Sequence, residues 1–139
     1  MPDPCTYDYA VVRVVPRVER GEFVNVGVIM SCATESFLRA RIELDEARVL
    51  ALDPTLDLQP IRATLATIPA ICAGGSGAGV LGRLSARERF DWLVAPRSTS
   101  IQTSAVHTGR CYDLDVALER LLDTMVRPPA EATGARSGA

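Results

Sequence analysis

The chain contains no lysine, and all fifteen of its basic residues are arginine. Seventeen acidic residues balance them, which gives a formal net charge of −2. A chain so close to neutrality has no general attraction to nucleic acid or to anionic membranes. The arginine bias is typical of a GC-rich genome. The alternative explanation is selection of arginine for bidentate anion binding, which requires evidence from a particular site in the chain.

Metal ligands and targeting signals are also scarce. There is one histidine, and the cysteines at positions 5, 32, 72 and 111 form no CxxC pair, so we predict neither a metal nor a cofactor. The first ten residues have neither the basic nor the apolar segment of a secretory signal. No apolar run approaches the roughly 18 residues of a membrane span. We therefore expect a cytoplasmic protein with free thiols.

Two segments rich in β-branched and aromatic residues, 7–15 and 22–32, flank a turn-forming PRVERG sequence and predict a β-hairpin. A loop centred on Glu19 places Arg13 opposite Asn25 on one face of this hairpin. The other face is then wholly apolar and is predicted to be the core face, with the residues Ala10, Val12, Val14, Val24, Val26 and Val28.

The rest of the chain predicts one more apolar strand, four helices and a late polar strand. They are a strand at 37–44, helices at 45–52, 57–73 and 86–94, a strand within 97–109, and a last helix capped by Asp113. We predict an α+β fold with a mostly antiparallel sheet and with the helices packed on one face. Residues 1–126 form the single predicted domain, and 127–139 a disordered tail.

The segment from 97 to 109 is the first candidate site, because hydroxyl and amide side chains occupy both faces of the predicted strand. Each unpartnered group in a buried strand would cost roughly 1–3 kcal/mol, so the strand is either a solvated edge or the wall of a polar site. In a polar site, Arg97 and Ser98 would donate to an anion beside Gln102. His107 would act there as a general base or as a hydrogen-bond donor to phosphate, although no nucleophile or carboxylate adjoins it in sequence.

Two further positions interrupt apolar patterns. Arg13 and Asn25 lie in valine-rich strands, and they mark either a solvated sheet face or a polar groove kept open by Gly27. Trp92 lies roughly 150° from the core stripe of its helix. It either covers a second edge of the core or is an exposed anchor for a partner protein.

Two long motifs resemble a known family. They are TYDYAVVRVVPRVERGEFVNVGVIM (6–30) and ERFDWLVAPRSTSIQTSAVHTG (88–109), and with the closing LERLL they are similar to an uncharacterised bacterial domain of unknown function. The resemblance covers nearly the whole chain before the tail and supplies no catalytic residue. Genes of that family often lie beside one for a HipA-like kinase, which implies a partner or regulatory role in a two-gene module. The motifs contain every candidate position: Arg13, Asn25, Trp92, Arg97, Ser98, Gln102 and His107.

Three functions follow from these observations. The first is a non-catalytic regulatory protein that docks on a HipA-like kinase through Trp92 and Arg97. The second is recognition of a phosphate-bearing ligand, nucleotide or nucleic acid by Arg13, Arg97 and the polar strand. The third is a hydrolase or transferase that uses His107 with Arg97.

Overall fold

Five strands form one antiparallel sheet in a computed structural model, which describes residues 3–129. The sheet order is β3-β2-β1-β4, and β5 also pairs with β1. The strands are β1 (Cys5–Val14), β2 (Val24–Cys32), β3 (Phe37–Ile42), β4 (Ile101–Thr103) and β5 (His107–Cys111). The predicted hairpin and third strand share one sheet, and the α+β class is confirmed. The single late strand predicted within 97–109 is instead two short strands, β4 and β5, which are interrupted at 104–106 and both pair with β1.

Each of the four helices begins at a residue whose side chain accepts a hydrogen bond from a backbone amide of the first turn, as the capping residues predict. The helices are α1 (Glu46–Leu52), α2 (Leu58–Ala73), α3 (Ala86–Leu93) and α4 (Leu114–Leu121), and α4 continues as a π-helical turn over Leu122–Val126. The glycine-rich segment after α2 forms 3-10 turns over Gly75–Arg83. In the described part of the chain, no single helix combines the length and apolarity needed to cross a membrane.

A β-bulge in β2 changes which face its side chains point to. Val14 pairs with Val24 and Arg13 with Asn25, as predicted, but Val12 then pairs with Gly27. Val26 is the additional residue of the bulge, and it shifts every later pair by one position. The predicted pairing of Ala10 with Val28 is therefore wrong. Ala10 faces Ile29, and Val28 points to the opposite side of the sheet.

The bulge allows the sheet to be buried on both faces. On the first face, valines of β1 and β2 pack with Ile29 against α1, α2 and α3. On the second face, Val28, Met30 and Cys32 pack against α4 and its π-helical turn. Helices α1 to α3 share one face as predicted, whereas α4 covers the other. The apolar stripe of α4 needs an apolar surface, and the bulge creates one by turning Val28 and Met30 towards it.

An ion pair to Glu43 connects the end of the last helix to the end of β3, and two more pairs of Arg127 lie within the last helix itself. Arg127 lies 2.7 Å from Glu43, 2.5 Å from Glu119 and 2.7 Å from Asp123. Hydrogen bonding to Arg127 lowers the pKa of the Glu43 and Glu119 carboxyls, so these pairs stabilise the fold at neutral pH and are lost as pH falls through the lowered pKa. Arg127, which the sequence assigned to the tail, therefore belongs to the folded domain. Residues 130–139 of that predicted tail lie outside the described residues.

Gly27 allows β3 to lie close to β2. A Cβ atom at this position would stand 2.6 Å from the backbone oxygen of Arg41 and 2.6 Å from Cδ1 of Ile42. Because that oxygen moves only with its strand, we expect Gly27→Ala to lower the free energy of unfolding by about 1–3 kcal/mol in denaturant titrations. Gly77→Ala is the control, because a Cβ there meets nothing within 4 Å, and it should leave stability unchanged or slightly higher. A Gly27→Ala protein as stable as the wild type would contradict this close approach.

Candidate functional site

Arg13, Asn25 and Gln102 lie side by side across three strands, and we call them the polar row. Arg13 pairs with Asn25 of β2 on one side and with Gln102 of β4 on the other. Paired residues in an antiparallel sheet point to the same face, so all three side chains lie on the face that α4 covers in part. The sequence predicted the pair of Arg13 and Asn25, and the sheet adds Gln102 to it.

The polar row is mostly enclosed by its neighbours. The Arg13 guanidinium stacks on the half-exposed Phe23 ring, 4.1 Å from its centroid. Asn25 Nδ2 donates to the carbonyl of Met125 at 3.0 Å, and Gln102 Nε2 donates to the carbonyl of Thr99 at 2.8 Å. The Arg13 Nε and Asn25 Oδ1 atoms are buried, with no hydrogen-bond partner among the described residues. They therefore face the protein interior and not an open groove.

Trp92 and Arg97 lie on the other side of the sheet, at the carboxyl end of α3. The Arg97 guanidinium stacks on the indole, with Cζ 4.5 Å from the ring centroid. Its two terminal nitrogens donate to the carbonyls of Leu93 at 2.9 Å and Trp92 at 2.7 Å. Arg97 therefore caps α3, and its donors are used by the helix instead of being presented to an anion. Trp92 remains 45% exposed.

A groove runs beside Trp92 between α2 and the edge strand β4. One cavity of about 110 Å³ is bounded by Trp92 and Arg97 together with residues of α2 and β4. A second cavity of about 530 Å³ lies beside the first, and Thr64, Thr99 and Ile101 line both. We call Trp92, Arg97 and this groove the Trp92 surface.

Ser98 and His107 are exposed, and His107 lies away from the Trp92 surface. His107 pairs with Tyr9, and their rings are 5.5 Å apart, so the imidazole contacts an aromatic ring and not a carboxylate. The His107 side chain points to the same sheet face as that of Arg13. Its partner Tyr9 lies four residues before Arg13 in β1, so the positions of His107 and Arg13 are about 13 Å apart along the strand. The described residues contain no group of three or more His, Cys, Asp or Glu side chains that could hold a metal ion.

Sequence reasoning missed a link between β1, β5 and α3. The Asp8 carboxylate accepts hydrogen bonds from Arg87 at 2.7 Å and from Thr108 at 2.9 Å. The bond from Arg87 is the main cause of the lowered pKa of Asp8. These residues are 79 and 100 positions apart from Asp8 in sequence, and no local pattern connects them. The link joins α3 to β1, in addition to the packing of Phe90 and Leu93 in the first core.

Sequence reasoning also missed a groove of about 500 Å³ between the end of β5 and the exposed side of α4. Arg110, Tyr112, Asp113, Val116 and Arg120 line it, and we call it the arginine groove. No local sequence pattern marks Arg110 or Tyr112 as part of a site.

Comparison with known proteins identifies one family. The model of the family described as "Protein of unknown function (DUF3037)" matches residues 9–126, more than four-fifths of the chain. The chain therefore belongs to this family, and the resemblance inferred from the two long motifs is confirmed. No curated protein and no solved structure matches the chain.

Proposed function

We propose, with membership of this family as the premise, that the chain is a cytoplasmic, non-catalytic domain that binds another protein through the Trp92 surface. The partner in this proposal is a HipA-like kinase encoded beside it, which rests on the family resemblance alone. The observation that carries the binding role is a half-exposed tryptophan held in one position by Arg97.

The geometry of Arg97 explains why Trp92 suits an interface. Two hydrogen bonds to the end of α3 fix the guanidinium, and the guanidinium fixes the indole by stacking. A side chain that is already immobile loses little conformational freedom when a partner binds. Tryptophan and arginine are also the residues most enriched among those that dominate interface energies. The adjoining groove gives room for a side chain of the partner.

The distribution of polar residues supports binding over catalysis. The hydrolase or transferase alternative requires Arg97 and His107 to act on one substrate. Arg97 caps α3 on one side of the sheet, whereas His107 points to the face that α4 covers in part. The phosphate alternative at Arg13 and Arg97 is also weakened, because Arg97 donates to helix carbonyls and Arg13 stacks on Phe23.

The test is co-expression with the neighbouring kinase-like protein, followed by size exclusion and calorimetry at micromolar concentration. We expect the two proteins to elute together, and Trp92→Ala to weaken the complex about 30-fold or more. Phe23→Ala is a matched control, because Phe23 is 44% exposed and also carries a stacked arginine, but on the other side of the sheet. Separate elution of the wild-type proteins, or equal weakening by both variants, would contradict the proposal.

A further inference from the structure

Three of the four cysteines lie together on the face of the sheet that α4 covers, and we call them the thiol cluster. Cys5 begins β1 and Cys111 ends β5, and these two residues pair directly across the sheet. Cys32 ends β2 and packs with them in the second core. All three are free thiols, and the Cys5 thiol interacts with both of the others. The fourth cysteine, Cys72, lies in the first core on the other face.

The positions of the three residues decide which two can be bridged. Directly opposite residues of antiparallel strands have Cα atoms about 4.5–5.5 Å apart. Disulfides span Cα separations of roughly 4.4–6.8 Å, so the pair of Cys5 and Cys111 meets this condition. Cys32 follows Ser31, which pairs with Asp8, and so it lies diagonally to Cys5 at about 7–8 Å. A link from Cys5 to Cys111 therefore requires less movement of the strands than a link to Cys32.

Solvent reaches the thiol cluster from one end. Cys5 is half-buried, whereas Cys32 and Cys111 are buried. Cys111 and Pro4, the residue before Cys5, also line the arginine groove, which is open to solvent. A molecule as small as hydrogen peroxide can therefore approach Cys5 beside Cys111.

We propose that Cys5 and Cys111 are a modification site, at which a peroxide converts the two thiols into a disulfide. The peroxide first oxidises the Cys5 thiol to a sulfenic acid and releases one water. The Cys111 sulfur then attacks the Cys5 sulfur, an S–S bond replaces the S–O bond, and the thiol proton leaves with the hydroxide as a second water. The two thiols thus lose two electrons, and the peroxide is reduced to two waters. This site is separate from the Trp92 surface and does not depend on the proposed protein partner.

The environment of the two thiols sets the rate of this modification. Burial raises the pKa of Cys5 and of Cys111, and the Glu35 carboxylate raises that of Cys5 further. Because the thiolate is the reactive form, oxidation is slow at neutral pH and becomes faster as pH rises towards the raised pKa. A thiol of raised pKa is also a poor leaving group, so the disulfide is reduced slowly once it has formed. The site therefore responds to sustained exposure to peroxide.

The test is treatment of the full, reduced chain with hydrogen peroxide, followed by alkylation of the remaining thiols and peptide mapping by mass spectrometry. We expect the intact mass to fall by two hydrogens, and one linked pair of peptides to contain Cys5 and Cys111. The reaction should be faster at about pH 9 than at about pH 7. Because the link closes the chain between positions 5 and 111, the melting temperature should rise by about 5–15 °C.

Cys72→Ser is the matched control, because Cys72 is also buried but lies in the first core. It should form the link as the wild type does, whereas Cys5→Ser and Cys111→Ser should not. A link between Cys5 and Cys32 would overturn the proposal, and so would oxidation of Cys5 without any link. Equal modification of all four thiols, or a lower melting temperature of the linked protein, would also overturn it, because both indicate reaction of an opened chain. Mapping of the wild-type protein decides these outcomes even where a serine variant fails to fold.

Discussion

Phe90→Ala is expected to lower the free energy of unfolding by about 3–5 kcal/mol, the usual cost of truncating a fully buried phenylalanine. Phe90 has no exposed surface and packs in the first core, between α3 and the sheet. Truncation removes apolar burial and leaves a cavity that the surrounding strands and α2 can fill only in part. The free energy of unfolding of small domains is roughly 5–15 kcal/mol, so this single change would remove much of it.

Trp92→Ala is the matched comparison for the stability loss of Phe90→Ala. Trp92 lies two residues further along the same helix, but it is 45% exposed, and its loss should lower the free energy of unfolding by about 1 kcal/mol. Denaturant titrations of the two variants measure both values. The expected pattern is a large loss of stability for Phe90→Ala and a large loss of partner binding for Trp92→Ala. Similar stability losses in the two variants would contradict the assignment of one aromatic side chain to the core and the other to the surface.

Leu122→Ala is expected to lower the free energy of unfolding by about 2–5 kcal/mol. Leu122 is completely buried at the start of the π-helical turn, where it packs in the second core on the face opposite to α1, α2 and α3. The size of the loss follows from this enclosure, because the sheet on one side and the helix backbone on the other limit how far the site can collapse.

Thr124→Ala serves as the control for Leu122→Ala, because Thr124 lies in the same turn but is exposed. It should change stability by no more than about 0.5 kcal/mol. A loss below about 1 kcal/mol for Leu122→Ala would mean that the last helix is only loosely attached to the sheet.

The candidate site was predictable only in part. The pairing of Arg13 with Asn25 follows from the hairpin, because both residues lie close to the loop over 15–23, and a loop centred on Glu19 sets the register of the pairs beside it. That Arg97 caps α3 does not follow from its residue type, since a free arginine and a capping arginine look identical in sequence. The arginine groove was missed for a related reason. Whether Arg110 and Arg120 lack partners depends on where every carboxylate of the fold is placed.

The sequence by itself determined the local structure of this protein. Helix starts at Asp45, Asp57, Ser85 and Asp113 are set by side chains that reach amides two or three residues away, so no tertiary contact is needed to find them. The hairpin and the late strand are likewise determined by residue type and turn chemistry over short stretches.

Only the tertiary structure decided the register after Val26 and the face that α4 covers. Residues 28–30 of β2 are all apolar, so a strand shifted by one position still buries apolar side chains, and the pattern alone does not distinguish the two registers. Hydrophobic burial has no direction, and an apolar stripe shows that a helix must be covered but not which surface covers it. The bulge at Val26 resolves both questions, because it divides the apolar residues of β2 between two cores.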